Sequence, residues 1–233
     1  MISAESQTKT EQLNRILAEI PVFPILGFEL DESNTIGLDL STANREMEQV
    51  DLTNTGDFAK FIDKIQHPYR VGIGGYFENR FMYKRSSVFD NSGEARSLHL
   101  GVDLWSPAET PVYAPIPGKV HSFAFNDRFG DYGATIILEH EIEGITFHSL
   151  YGHLSLDSLT GLNAGKEFGA GEELCRFGIP EENGHWPPHL HFQLIIDMQG
   201  KSGDYPGVAP RKDEEWYRLN CPDPNLILRT NLI

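Results

Sequence analysis

Hydrophobic positions follow two different periods along this chain, and the change falls near Val71. Before it, Leu13, Ile16, Leu17 and Ile20 recur at three- and four-residue spacing with polar residues between them, which predicts an amphipathic helix. Pro21 and Pro24 close that segment. A second helix is predicted over residues 57–66, where Phe58, Phe61, Ile62 and Ile65 form one apolar stripe. Both stripes read as faces packed on a core. Beyond Val71, glycine-rich turns separate short β-prone runs at 118–125, 135–140, 145–151 and 189–197. The run Thr135-Ile136-Ile137-Leu138 is apolar and β-branched, as in a strand buried on both faces. Residues 126–132 and 178–188 read as loops, and Cys221-Pro222-Asp223-Pro224-Asn225 as a turn before a last apolar segment. The expectation is a mainly β protein: a partly helical N-terminal extension over residues 1–90, then a β-sheet domain over 91–233.

Length and composition agree with one large globular domain, or one domain with a smaller attachment. The chain has 233 residues, 39% hydrophobic and 23% charged, and its 22 Gly and 14 Pro fit a turn-rich fold. With 34 acidic against 19 basic residues the formal net charge is -15, which argues against nucleic acid or an anionic membrane surface as a partner. The two cysteines, Cys175 and Cys221, form no CxxC pair and exclude a disulfide framework, while leaving a single bridge open. Cys175 lies in Leu174-Cys175-Arg176-Phe177, where a small buried side chain is expected. The first residues lack the basic start and apolar stretch of a secretory signal, and no run approaches the ~20 apolar residues of a membrane span. The expected location is therefore cytoplasmic.

The candidate chemistry is histidine chemistry. Five residues stand out in three clusters: His99 with Asp103, His153, and His189 with His191. His189-Leu190-His191 opens a β-prone run, and residues two apart on a strand share a face. His99 and Asp103 would lie about 13 Å apart on a fully extended chain at ~3.3 Å per residue, so both reach one ion only if the chain bends. Gly101 is where a bend costs least. Each cluster alone is common in surface or structural roles. Jointly, neutral imidazoles and a carboxylate suit zinc, and three protein ligands plus a water make an open, catalytic type of site. The chain has no HExxH, so a glutamate base on a zincin helix is not available, and spare histidines become the candidate bases.

His99-Leu100-Gly101-Val102-Asp103, Leu150-Tyr151-Gly152-His153-Leu154-Ser155 and Pro188-His189-Leu190-His191-Phe192 together resemble, in order, the signatures of the lysostaphin-type zinc metallopeptidases. Thr110-Pro111-Val112-Tyr113-Ala114 and Gly118-Lys119-Val120 resemble the segments that follow the first signature. The resemblance spans roughly residues 95–200. It implies an antiparallel β-sheet peptidase domain, one zinc ion held by His99, Asp103 and His191, and His153 and His189 as non-ligand catalytic histidines. The implied activity is hydrolysis of a peptide or related small amide by metal-activated water. The alternative is a zinc-containing module that binds a peptide or partner without cutting it, and a purely structural zinc site is the third reading. The departures are Gly184-His185-Trp186-Pro187-Pro188 before the last signature, Gln193 where an acidic residue is common, and the 126–132 loop. They flank the expected groove and bear on which substrate fits. His185 reads as an exposed loop residue, and His67, His121, His140 and His148 are assigned no chemistry.

Overall fold

The computed structural model describes residues 4–80, 82 and 96–233. The strands, in chain order, are β1 (Thr35–Leu38), β2 (Val71–Gly74), β3 (Leu98–His99), β4 (Val102–Trp105), β5 (Pro111–Tyr113) and β6 (Gly118–Asn126), followed by β7 (Gly133–Ile142), β8 (Ile145–Leu154), β9 (Glu167–Phe168), β10 (Glu173–Arg176), β11 (His189–Ile195) and β12 (Val208–Ala209). Eight of them form one sheet in the order β1-β2-β4-β11-β8-β7-β6-β9. The protein is mainly β and nearly all its pairs are antiparallel; the exception is β1 with β2, which run parallel. The helices are α1 (Ala4–Glu19), α2 (Thr55–Gln66), α3 (Glu214–Asn220) and α4 (Asn225–Leu228). No helix among the described residues is long and apolar enough to cross a membrane.

The last long strand of the sheet in sequence, β11, occupies its middle. It pairs with β4 through His189↔Trp105 and His191↔Asp103, and with β8 through His191↔Gly152. All seven of its residues are buried, so the two histidines lie on a central strand and not on an edge. The two-residue period divides the strand. Leu190, Phe192 and Leu194 enter the main hydrophobic core, which they share with Val102 and Leu104 of β4. His189, His191 and Gln193 then face the other side, together with Asp103 and Trp105.

Both predicted helices form where the apolar spacing placed them. In α1, Leu13 and Leu17 are fully buried in the main core, with Ile16 and Ile20 partly buried beside them. Helix α2 starts on Asn54, whose side chain accepts from the backbone N–H of Gly56 and Asp57. Its Phe58, Phe61 and Ile62 pack in a second cluster with Trp105 and Trp186, and Phe58 meets both indoles edge-on at 5.8 and 6.2 Å between ring centroids. Segments within the first 80 residues therefore extend the sheet through β2, and α2 packs against Trp105 on the face of β4 that carries Asp103. The two cysteines are free and buried. Burial pushes both thiols up, Cys221 to about 12.

His140 shows what a histidine outside the site does in this fold. Its Nδ1–H donates to the Pro117 carbonyl at 2.8 Å, and its Nε2 lies 2.7 Å from the Ser149 hydroxyl. Burial pulls the ring from 6.5 down to about 4, with the Pro117 carbonyl acting weakly the other way. Between those values an unfolded chain takes up a proton that the fold excludes. Stability is thus highest above about pH 6.5 and falls as the pH drops toward 4. Urea titrations are expected to give a lower midpoint near pH 5 than near pH 7. His140→Gln should shrink that difference without abolishing it, because other buried histidines titrate in the same window.

Candidate metal centre

The bend expected at Gly101 is the break between β3 and β4, and it brings His99 and Asp103 together. His99 Nε2 and His191 Nδ1 lie 2.9 Å apart, and each is 3.2 Å from Asp103 Oδ1. All three residues are buried. Gly101 has a second reason to be glycine: a Cβ there would sit 2.6 Å from the Phe192 carbonyl oxygen and 2.7 Å from His191 Nε2.

The outer nitrogens fix the tautomers. His99 Nδ1 lies 3.0 Å from the Gly75 carbonyl oxygen, which can only accept, so Nδ1 carries the proton and Nε2 presents its lone pair inward. Gln193 Nε2 donates to the Pro206 carbonyl, leaving Gln193 Oε1 to accept from His191 Nε2–H at 2.9 Å. His191 Nδ1 therefore also presents a lone pair. Three electron-rich atoms converge without a proton to share, the arrangement a cation relieves. Zinc bonds of about 2.0–2.2 Å would set tetrahedral ligand atoms roughly 3.3–3.6 Å apart, a few tenths wider than the spacing seen here. The donor set and its spacing fit one zinc ion.

Electrostatics support that state. Burial lowers the His99 ring to about 4, and Arg80 adds to the effect, so the ring is neutral near pH 7. Burial alone would raise the Asp103 carboxyl, but His99 and Arg80 outweigh it and hold the group well below the usual carboxylate range. Arg80, with a fully buried side chain, pairs through Nη1 with Asp103 Oδ2 and through Nε with Glu78.

His153 and His189 lie against this centre with ring centroids 4.1 Å apart. Each donates its Nδ1–H to a backbone carbonyl at 2.8 Å, His153 to Asn183 and His189 to Pro187. Their Nε2 atoms therefore carry lone pairs, and His189 Nε2 is 4.0 Å from Asp103 Oδ1. The His189 ring stacks on Trp105 at 4.0 Å. Burial is the main cause that lowers both rings, His189 to about 4. All five residues singled out in the sequence thus border one pocket of about 280 Å³.

The loops that depart from the family pattern build the pocket walls. Residues 126–132 contribute Arg128, Asp131 and Tyr132, and the segment before the last signature contributes Trp186. The two loops are tied together: Trp186 Nε1–H donates to the Asp131 carbonyl at 3.2 Å, and Gly130 N–H to the Gly184 carbonyl at 2.8 Å. A Cβ at Gly184, whose φ is +83°, would fall 1.9 Å from that same Asp131 oxygen. His185 is exposed and stacks on Phe129, its ring 5.7 Å away. Sequence reasoning missed Arg80, which lies 23 residues before its partner with no motif around it. Gln193 stands two residues beyond His191 on the same strand face, and that spacing is the sequence signal for its contact with the ring.

A buried cluster of two imidazoles and a carboxylate borders a pocket beside two further imidazoles, and these three residues could hold a metal ion. Residues 97–204 match the family model described as Peptidase family M23. Among solved structures it is similar to a zinc-containing peptidase from Vibrio cholerae, at 24% identity over 46% of this chain and 29% of that one, with a TM-score of 0.35. It is also similar to the catalytic domain of the antimicrobial peptidase lysostaphin from Staphylococcus simulans, at 24% identity over 52% of this chain and 80% of that one, with a TM-score of 0.36. A third is the catalytic domain of a prophage-encoded M23 protein from Enterococcus faecalis, at 21% identity over 48% and 80%, with a TM-score of 0.36. The chain spans under a third of the length of the Vibrio cholerae protein. No curated protein matches it.

Gly101→Ala is expected to cost about 1–3 kcal/mol through overpacking and to displace His191, weakening zinc binding. Urea midpoints and a competitive zinc titration measure the two effects. Unchanged zinc affinity would show that the close approach is not needed to seat His191.

Proposed function

We propose that the chain is a zinc-dependent hydrolase that cleaves a peptide or related amide bond, with His99, Asp103 and His191 holding one zinc ion and His189 serving as general base. The observation that carries this reading is the convergence of three unprotonated, buried ligand atoms beside two further histidines whose Nε2 lone pairs remain available. A zinc ion held there would lower the pKa of a coordinated water toward about 7 and polarise the substrate carbonyl.

The remaining steps belong to the chain. His189 Nε2 accepts the proton released by the attacking water, with Pro187 and the Trp105 face holding the ring in place. The protonated ring then returns that proton to the departing amine nitrogen. His153, in ring contact with His189 and anchored to Asn183, presents a second Nε2 lone pair to the pocket and orients the attacking water by accepting a hydrogen bond from it. The low basicity of both rings keeps them neutral, and so able to accept a proton, near pH 7. Trp186 and Tyr132 narrow the pocket and limit the water that reaches the substrate.

Zinc-loaded protein incubated with glycine-rich peptides, cell-wall peptides and small amides, and read by mass spectrometry, tests the reading. His189→Ala is expected to keep its zinc and lose about 10²–10⁴-fold in turnover. His99→Ala and Asp103→Ala are expected to lose the metal itself. Full zinc content in purified His99→Ala would refute the ligand set. Full zinc in the wild type with no cleavage of any class would favour a binding module.

A further inference from the structure

Two of the three ligand residues are oriented from outside residues 97–204. The Gly75 carbonyl takes the outer N–H of His99, and Phe77 and Glu78 pair with the His99 backbone through Phe77 N–H to His99 O at 2.8 Å and His99 N–H to Glu78 O at 3.0 Å. Arg80 holds Oδ2 of Asp103. Arg80 is itself fixed on its other side: Nε donates to Glu78 Oε2 at 2.7 Å, and Glu78 Oε1 accepts from the Leu40 N–H at 3.0 Å. Gly74 gives the guanidinium its room, since a Cβ there would lie 2.6 Å from Nη2.

We propose that Arg80 is a positioning residue for the metal centre, so that the segment 74–80 belongs to the active site although it precedes the family-matched residues. The proposal rests on the metal reading above. A carboxylate can offer one oxygen or both to an ion. With Oδ2 committed to Arg80, Asp103 offers Oδ1 alone, on the side where the two imidazole lone pairs converge. That leaves a coordination position for water or substrate, as a catalytic site requires. Glu78 prevents Arg80 from swinging away.

The competing explanation is that Arg80 only neutralises a buried carboxylate and so serves folding. That role predicts lost stability with unchanged coordination, and cobalt separates the two. In the cobalt-loaded full chain, four-coordinate Co²⁺ absorbs strongly in the visible, and absorption weakens when a further oxygen joins. Arg80→Met is expected to weaken that absorption and to reduce cobalt affinity about 10–100-fold in competition with a chelator. Arg80→Lys keeps a charge without the fork that reaches Asp103 and Glu78 together, so it should fall between. Glu78→Gln leaves the guanidinium in place but less firmly clamped, and a smaller, several-fold loss is expected even if Arg80→Met does not fold.

A wild-type spectrum and affinity in folded Arg80→Met overturn the proposal, as does an unchanged Glu78→Gln should Arg80→Met not fold. Wild-type protein that binds no cobalt at Asp103 instead overturns the metal reading, and this proposal with it. The two failures are thus distinguishable before any substrate is known.

Discussion

Each of the four histidines around the site gives its outer N–H to an oxygen that the fold holds still, and the chemistry depends on that constraint. Gly75, Asn183 and Pro187 offer main-chain carbonyls, and Gln193 offers a side-chain carbonyl whose own amide is tied to Pro206. An imidazole with its outer nitrogen so engaged has no choice of tautomer or ring angle. Its inner nitrogen is then a donor of electrons by construction. The Tyr132 hydroxyl also lies 3.4 Å from His191 Nε2, but the Gln193 carbonyl oxygen at 2.9 Å is the nearer partner.

Those acceptors come from parts of the chain distant in sequence, and the sheet brings them together. Strand β11 carries His189, His191 and Gln193 on one face and drives Leu190 and Phe192 into the core on the other, so burial of the apolar face fixes the polar face in register. The two loops above it carry polar backbone and are less constrained by burial. Their mutual hydrogen bonds, and a glycine at 184 that leaves no room for a side chain, supply the rigidity instead.

Much of this was legible in the sequence because it follows short-range periodicity. The stripes of Leu13, Ile16 and Leu17 and of Phe58, Phe61 and Ile62 became helices, the apolar β-branched run at Thr135 became a doubly buried strand, and the one-residue gap between His189 and His191 became a shared face. What stayed hidden depends on pairing across long separations. Nothing near residue 71 announces that β2 joins the sheet beside β4, or that β1 lies parallel to it. Asn183 and Pro187 act through main-chain carbonyls, which every residue possesses, so no side-chain pattern could mark them. Arg80 is one of many charged residues in an acidic chain, and only its complete burial distinguishes it.

The order of strands in space also sets an order in time. Strand β11 lies between β4 and β8, yet it follows both in the chain, and Asp103 and His191 are 88 residues apart. On a ribosome, β4 and β8 emerge first with no partner for the edges they will later share, and the ligand triad stays incomplete until β11 slides between them. A metal ion would therefore meet the full set of proposed donors only in a chain whose sheet has already closed, and a nascent or half-folded molecule would offer it at most His99 and Asp103. An ion bound at this triad would in that sense be a record of completed folding.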